Sequence, residues 1–392
     1  MSLIKEWFAK QQAKAALLKV FKDGDIGISY SYGQNKGMVY PKIRSVKLDY
    51  ENQAVIYTFS IPTGLDPKDV KKKEYCFQQV FGKHIELKGE IKEFKLTVYA
   101  AVLPSVLKFD YEAYVPHFQD YKIPIVAGID INGNIIVYDM VKNPHLLIAG
   151  ETGSGKSTQL RSVLTTLIKA LPAERLELYL CDLKRSEFHL FRHVEHVRGL
   201  FVSPREMMPM LQYLQKEMQS RGDLLDFYEV SHIDDLEQPP PYIVLCIDEV
   251  ALLQNEKKLM ELVEEISAIG RALGVFLILS MQRPDRKVLD GKLKNNLTVR
   301  MGFKCADAIN SRIIGTPGSE KLKKEGRMLL KLPVYSDPKE IQAPYLELDK
   351  AKKLLEPYKS IKGKNAKFTP SKPPGEVVDT KETENNIFEV LD

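Results

Sequence analysis

The run Gly150-Glu151-Thr152-Gly153-Ser154-Gly155-Lys156-Ser157 constrains this chain more than any other feature. It follows an apolar segment, residues 145–149, and precedes a stretch with helical apolar spacing that opens at Ser157. Strand, glycine-rich loop and helix in that order turn backbone N–H groups inward around an anion, with the helix amino terminus adding partial positive charge. Lys156 is placed for the β and γ phosphates of a nucleotide, and Ser157 for a magnesium ion. The pattern therefore predicts a site for ATP and Mg2+ built from residues 150–157 together with Thr158.

Two later apolar runs end in polar residues suited to the same chemistry. Residues 242–247 lead into Asp248-Glu249, one carboxylate for the metal and a second to polarise an attacking water. Residues 275–281 end in Gln282-Arg283, and Gln282 is placed to sense the γ-phosphate, because sensing groups sit at the carboxyl ends of such strands. Taken alone, two acids after a strand would equally suit a helix cap. The glycine loop upstream favours the catalytic reading.

Around these motifs, short apolar runs at 145–149, 176–181, 242–247, 275–281 and 298–303 alternate with helical stretches, which predicts a mostly parallel sheet covered by helices on both faces. The preceding text differs. Residues 1–24 read as an amphipathic helix, and 25–120 as a small α+β domain whose strands surround a helix beginning near Pro67. The ATPase-like region is assigned 121–348, entered through a hairpin with Asn132-Gly133-Asn134 at its turn. From 349 to 392 the chain becomes polar and proline-bearing, and a flexible, disordered tail is expected.

Composition narrows the class without choosing a function. The net charge of +5 permits nucleic-acid binding and does not demand it. No apolar run approaches the roughly 18 residues a spanning helix needs, and lysines interrupt every apolar stretch near the amino terminus, so no membrane insertion and a cytoplasmic location are expected. Cys76, Cys181, Cys246 and Cys305 have no metal-ligand spacing and read as buried, reduced thiols.

These blocks, together with Asp182-Leu183-Lys184-Arg185-Ser186-Glu187, the Glu217 to Arg221 segment, Ile269-Gly270-Arg271-Ala272-Leu273-Gly274, Asn310-Ser311-Arg312 and Gly326-Arg327-Met328, resemble the motor domain of FtsK/SpoIIIE DNA translocases over roughly residues 125–345. Leu183, Met281 and Asn310 stand where that family usually carries Pro, Thr and Asp. The resemblance implies a RecA-like P-loop ATPase fold, a homo-oligomeric ring of six copies, and double-stranded DNA threaded through it. It also implies a finger arginine acting on a neighbouring copy's nucleotide, with Arg271 the first candidate and Arg312 the second. The alternative for Arg271 is a surface pairing with Glu264 or Glu265.

Between 283 and 296, five cations stand against two acids, and Arg283, Arg286, Lys287, Lys292 and Lys294 are the candidate DNA contacts if this segment is more than a solvated loop. A conjugation coupling protein or a type VII-like secretion ATPase is the alternative function, since related blocks occur in both. A small motor of this kind suits a plasmid, phage or conjugative element. Apolar residues at 387, 388, 390 and 391 suggest a docking peptide for a partner protein, or else a frayed end.

Overall fold

The computed structural model describes residues 3–32, 35–49, 54–82, 84–99, 103–118, 120–284, 288–289 and 291–360. Two compact units emerge, one from residues 1–104 with 129–134, the other from 105–128 with 135–392.

The smaller unit comprises α1 (Leu3–Asp23), the antiparallel pair β1 (Ile28–Tyr32) and β2 (Asn35–Val39), and a sheet from β3 (Lys42–Asp49), β4 (Ala54–Ser60), β5 (Ile85–Gly89) and β6 (Glu93–Tyr99). The sheet runs β3-β4-β6-β5, antiparallel throughout. Helices α2 (Pro67–Lys72) and α3 (Glu74–Phe81) replace the single helix expected from Pro67, with a break at Lys73. Phe77 is buried whereas Tyr75 and Val80 are exposed, so the apolar face is narrower than the spacing suggested. Helix α1 is not a separate element: Leu17, Val20 and Phe21 join Phe59, Phe77 and Phe94 in one core. Phe21 and Phe59 ring centroids lie 5.0 Å apart and Phe59 stacks on Phe94 at 5.6 Å. Residues 105–120, expected here, belong to the other unit.

The larger unit begins with β7 (Leu107–Lys108), α4 (Tyr111–Tyr114), β8 (Pro124–Ile129) and β9 (Ile135–Asp139). There follow β10 (Leu146–Ala149), α5 (Lys156–Ala170), β11 (Leu176–Asp182), β12 (Val197–Phe201), α6 (Pro204–Phe227), β13 (Tyr242–Asp248), α7 (Lys257–Ile269) and β14 (Val275–Met281). The unit closes with α8 (Gly291–Asn296), β15 (Val299–Phe303), α9 (Ala308–Ile314), β16 (Arg327–Lys331), β17 (Lys339–Gln342), β18 (Pro344–Tyr345) and α10 (Leu348–Leu355).

Its main sheet runs β12-β11-β13-β14-β10-β15-β16-β17-β8-β9. The six strands from β12 to β15 are parallel, and β15-β16-β17 are antiparallel, so the sheet is mixed where a mostly parallel one was expected. Every residue of β10, β13, β14 and β15 is buried. Strands covered on both faces read as mainly apolar runs, which is why these four were legible as strands. The antiparallel part was harder to see because β16 and β17 mix charged with apolar residues.

The polar tail expected from 349 starts too early. Residues 348–355 form α10, whose Ala351 and Leu355 are buried, and Arg161 of α5 donates to Leu346 O at 2.9 Å just before it. Lysines at 350, 352 and 353 masked this amphipathic turn, since composition hid a spacing of three and four. No described helix is long and apolar enough to cross a membrane.

Candidate functional site

Strand β10 lies between β14 and β15, and β13 lies on the far side of β14. Because all four are parallel, the loops leaving β10, β13 and β14 emerge at one end of the sheet. The glycine loop after β10 begins with Gly150 N donating to Met281 O of β14 at 3.2 Å. Its tight path requires Gly155: φ is +104°, and a Cβ there would meet Gly326 Cα at 2.8 Å. Helix α5 starts directly at Lys156, with no side chain capping its amino terminus, and the buried Ser154 Oγ has no protein partner among the described residues. An uncapped helix start at the end of a glycine-rich loop fits a phosphate group.

Lys156 is 4% exposed. Its Nζ lies 3.1 Å from Asp248 Oδ1 and 2.7 Å from Ser280 Oγ, and Ser280 Oγ donates to the same carboxylate oxygen at 2.9 Å. Three strands, β10 through its loop, β13 and β14, thus bring one cation, one carboxylate and one hydroxyl together. A buried ammonium and a buried carboxylate each need such a partner, because an uncompensated charge in the interior is costly.

Glu249 follows Asp248 in a left-handed backbone conformation, φ 60° and ψ 57°. This turn aims its side chain back toward the sheet end rather than into a helix. Oε2 pairs with Lys184 Nζ at 2.6 Å, and Oε1 accepts from Gln282 N at 3.1 Å. Gln282 Oε1 in turn accepts from Thr152 Oγ1 of the glycine loop at 3.3 Å. The second carboxylate, the expected sensor and the loop are therefore in hydrogen-bonded succession. Glu151 pairs with Lys304 at 2.8 Å, outside the loop.

The loop opens into a cavity of about 910 Å3, within the roughly 300–1,000 Å3 of small-molecule sites. Thr152, Lys156, Ser157 and Thr158 are among its lining residues, as are Val106, Pro344 and Tyr345. A lining that holds both phosphate-binding polar groups and apolar or aromatic ones suits a molecule with phosphates and a flat ring. For a magnesium ion, Ser157 in the cavity and Asp248 behind Lys156 offer the hard oxygen donors that such an ion takes.

Sequence motifs bring together Lys156, Asp248, Glu249 and Gln282, and the structure adds three contributors they did not name. Ser280 sits inside an apolar strand, where only the β10, β13 and β14 register reveals its partner. Lys184 belongs to a block quoted above without a role of its own. Tyr345 comes from β18, paired with β7, far along the chain from the loop.

Other expected residues lie elsewhere. Arg271 is not on a helix: α7 ends at Ile269, and Arg271 occupies the exposed turn before β14. Its Nε donates to Val141 O at 3.2 Å, while Glu265 accepts from Gln215 at 2.7 Å. Strand β14 has seven residues, about 20 Å at 3.3 Å each, so Arg271 stands a full strand length from its own glycine loop. Arg312 is exposed on α9. Of the candidate DNA contacts, Arg283 and Lys292 are exposed and Lys294 Nζ donates to Arg312 O at 3.3 Å. Arg286 and Lys287 lie outside the described residues, as does the segment 386–391.

The cysteines are buried and unpaired by disulfides. Burial pushes the Cys181 thiol up, and burial with the Asp248 charge does the same to Cys246, so neither is a nucleophile here.

Comparison with known proteins fits this geometry. Residues 110–239 match the FtsK/SpoIIIE family model. A DNA translocase FtsK of Borreliella burgdorferi is 34% identical over 260 residues, covering 63% of this chain and 33% of the relative. That of Helicobacter pylori strain 26695 is 34% identical over 259 residues, covering 62% and 30%. The chain spans about a third of the length of these curated relatives. Among solved structures, the pCW3 conjugation coupling protein TcpA superposes with TM-score 0.60 at 24% identity, over 88% of this chain and 99% of that one. The cytoplasmic domain of the type VII secretion ATPase EccC of Thermomonospora curvata gives TM-score 0.55 at 26% identity, over 61% and 31%. The chain carries a domain of the FtsK/SpoIIIE family, built on a P-loop ATPase fold.

Proposed function

We propose that this protein hydrolyses ATP to move along double-stranded DNA, working in the cytoplasm as a ring of copies, six in number. The observation that carries this reading is the convergence of Lys156, Asp248 and Ser280 with Glu249, Gln282 and Thr152 at one sheet end, inside a domain shared with DNA translocases.

In this mechanism the loop from Gly150 to Ser157 and the start of α5 hold the triphosphate, through the amides not already spent on the carbonyls of Met281, Lys304 and Glu151, with Thr158 following on the helix. Lys156 exchanges its contact with Asp248 for the β and γ phosphates. Ser157 and Asp248 would hold Mg2+, which supplies positive charge against the phosphate oxygens. Glu249 takes a proton from the attacking water, and Gln282 reports the γ-phosphate through its contacts to Thr152 and Glu249. Arg271 of an adjacent copy completes the site, since a guanidinium stabilises the transition-state charge; Arg312 is the second candidate. Arg283, Arg286, Lys287, Lys292 and Lys294 offer contacts to DNA phosphates.

The deciding experiment measures ATPase activity with no addition, with duplex DNA, with single strands and with an unfolded polypeptide. Duplex should stimulate most. Stimulation by polypeptide alone would sink the reading and favour a secretion ATPase.

A second reading, a conjugation coupling protein on a mobile element, is favoured by the reach of the TcpA likeness beyond the ATPase region. Both readings contain a DNA motor and differ in partners, including one docked through residues 386–391. A transfer assay in donor cells carrying Lys156→Ala separates them.

A further inference from the structure

The turn after β11 carries a cation that the mechanism above does not use. Lys184 Nζ lies 2.6 Å from Glu249 Oε2, while Gln282 N holds Oε1 at 3.1 Å. Both oxygens of the carboxylate are engaged, one of them by a full positive charge. A water approaching Glu249 must compete with that ammonium, and charge-assisted hydrogen bonds are the stronger kind.

The two partners differ in their freedom to move. The Glu249 side chain is 6% exposed, and its backbone is held in the left-handed region at the end of a fully buried strand. The Lys184 side chain is 32% exposed, with solvent-facing Arg185 next to it at φ 58°. The turn itself is anchored by Asp182, whose carboxylate accepts from the N–H groups of Ser186, Glu187 and Phe188 at 3.1, 3.0 and 2.9 Å. Lys184 can therefore swing out into solvent while the turn and Glu249 stay in place. Two adjacent exposed cations are also what a phosphate backbone attracts.

We propose that Lys184 is a positioning residue that latches Glu249 in the resting subunit, and that phosphates of bound DNA draw it off, so that this ion pair couples DNA binding to hydrolysis. This rests on Glu249 being the base.

The test compares kcat and KM for ATP, without DNA and at saturating duplex, for the full chain and its Lys184→Met and Lys184→Arg variants. Lys184→Met should raise the DNA-free kcat several-fold toward the duplex-saturated value and leave KM for ATP unchanged, so the stimulation ratio collapses. Lys184→Arg keeps a cation over the carboxylate and should hold the DNA-free rate below that of the Met variant. A Lys184→Met variant that is slower in both conditions, or that keeps the wild-type stimulation ratio, overturns the latch. So does a wild-type rate that duplex leaves unchanged. Thermal melting checks folding, and Lys184→Gln replaces the Met variant if that one does not fold. Glu249→Gln separates the two layers: if it still hydrolyses ATP, the assignment of the base fails, whereas if it is inactive and Lys184→Met gains no speed, only the latch fails.

Discussion

The two ends of the central parallel strands are built from the same sheet to different plans. At the carboxyl ends of β10, β13 and β14, charged groups are buried and satisfied by one another: Lys156 by Asp248 and Ser280, Glu249 by Lys184 and Gln282 N. At the amino ends, Arg271 is exposed before β14, and the buried ionisable groups there are held by backbone: the His145 imidazole accepts from Leu277 N at 3.0 Å, and Arg221, paired with Glu217, donates to Leu273 O at 2.8 Å. The first end brings together within one copy the groups that the proposed mechanism assigns to phosphoryl transfer. The second offers an arginine that its own copy cannot use there, a strand length away from the glycine loop. Such a division suits an enzyme whose site is completed between copies.

The largest effects belong to the carboxyl end. Lys156→Ala should abolish turnover and nucleotide binding, while Glu249→Gln should bind ATP and fail to hydrolyse it, as read by equilibrium binding beside product release. Equal loss of binding in both variants would erase the distinction between a phosphate ligand and a base.

Next comes the amino end. Arg271→Ala should lower kcat by roughly 10³ to 10⁵, the range seen for finger arginines. Mixed with Lys156→Ala copies, it should recover part of the rate, because a mixed interface joins an intact loop to an intact arginine. Co-assembled mixtures that stay inactive would count against action across copies, and Arg312→Ala would then be tested in the same way.

A smaller effect tests the burial of His145. Burial holds its imidazole down from 6.5 to about 4, so the folded protein refuses a proton that the unfolded chain accepts between those values. Stability should therefore fall as pH drops from about 6.5 to about 4, by ~3 kcal/mol at most, and level off below. Urea midpoints across that window should flatten in His145→Asn, since Asn tolerates the positive φ of 61°. His196 is lowered as well and will leave some slope.

The smallest expected change is in salt dependence. Replacing Arg286 or Lys287 by Ala should reduce the log-log slope of DNA affinity against salt by about 0.9 each if each meets a phosphate. An unaltered slope would remove that loop from the DNA path.

Much of this molecule was readable in order along the chain because the physics involved is local. A glycine loop between a strand and a helix needs only neighbouring residues, and strands buried on both faces announce themselves by mainly apolar runs, so Lys156, Asp248, Glu249 and Gln282 could be singled out from motif and position as candidates. What the chain alone could not say concerns contacts across the sheet. Ser280 acquires its partner only through the pairing of β14 with β10 and β13, and Lys184 reaches Glu249 only because β11 lies against β13. The antiparallel extension, the α10 turn hidden among lysines, and the placement of Arg271 opposite its own glycine loop were likewise tertiary outcomes. Local spacing selects which elements form; the register between distant strands decides which of their side chains meet.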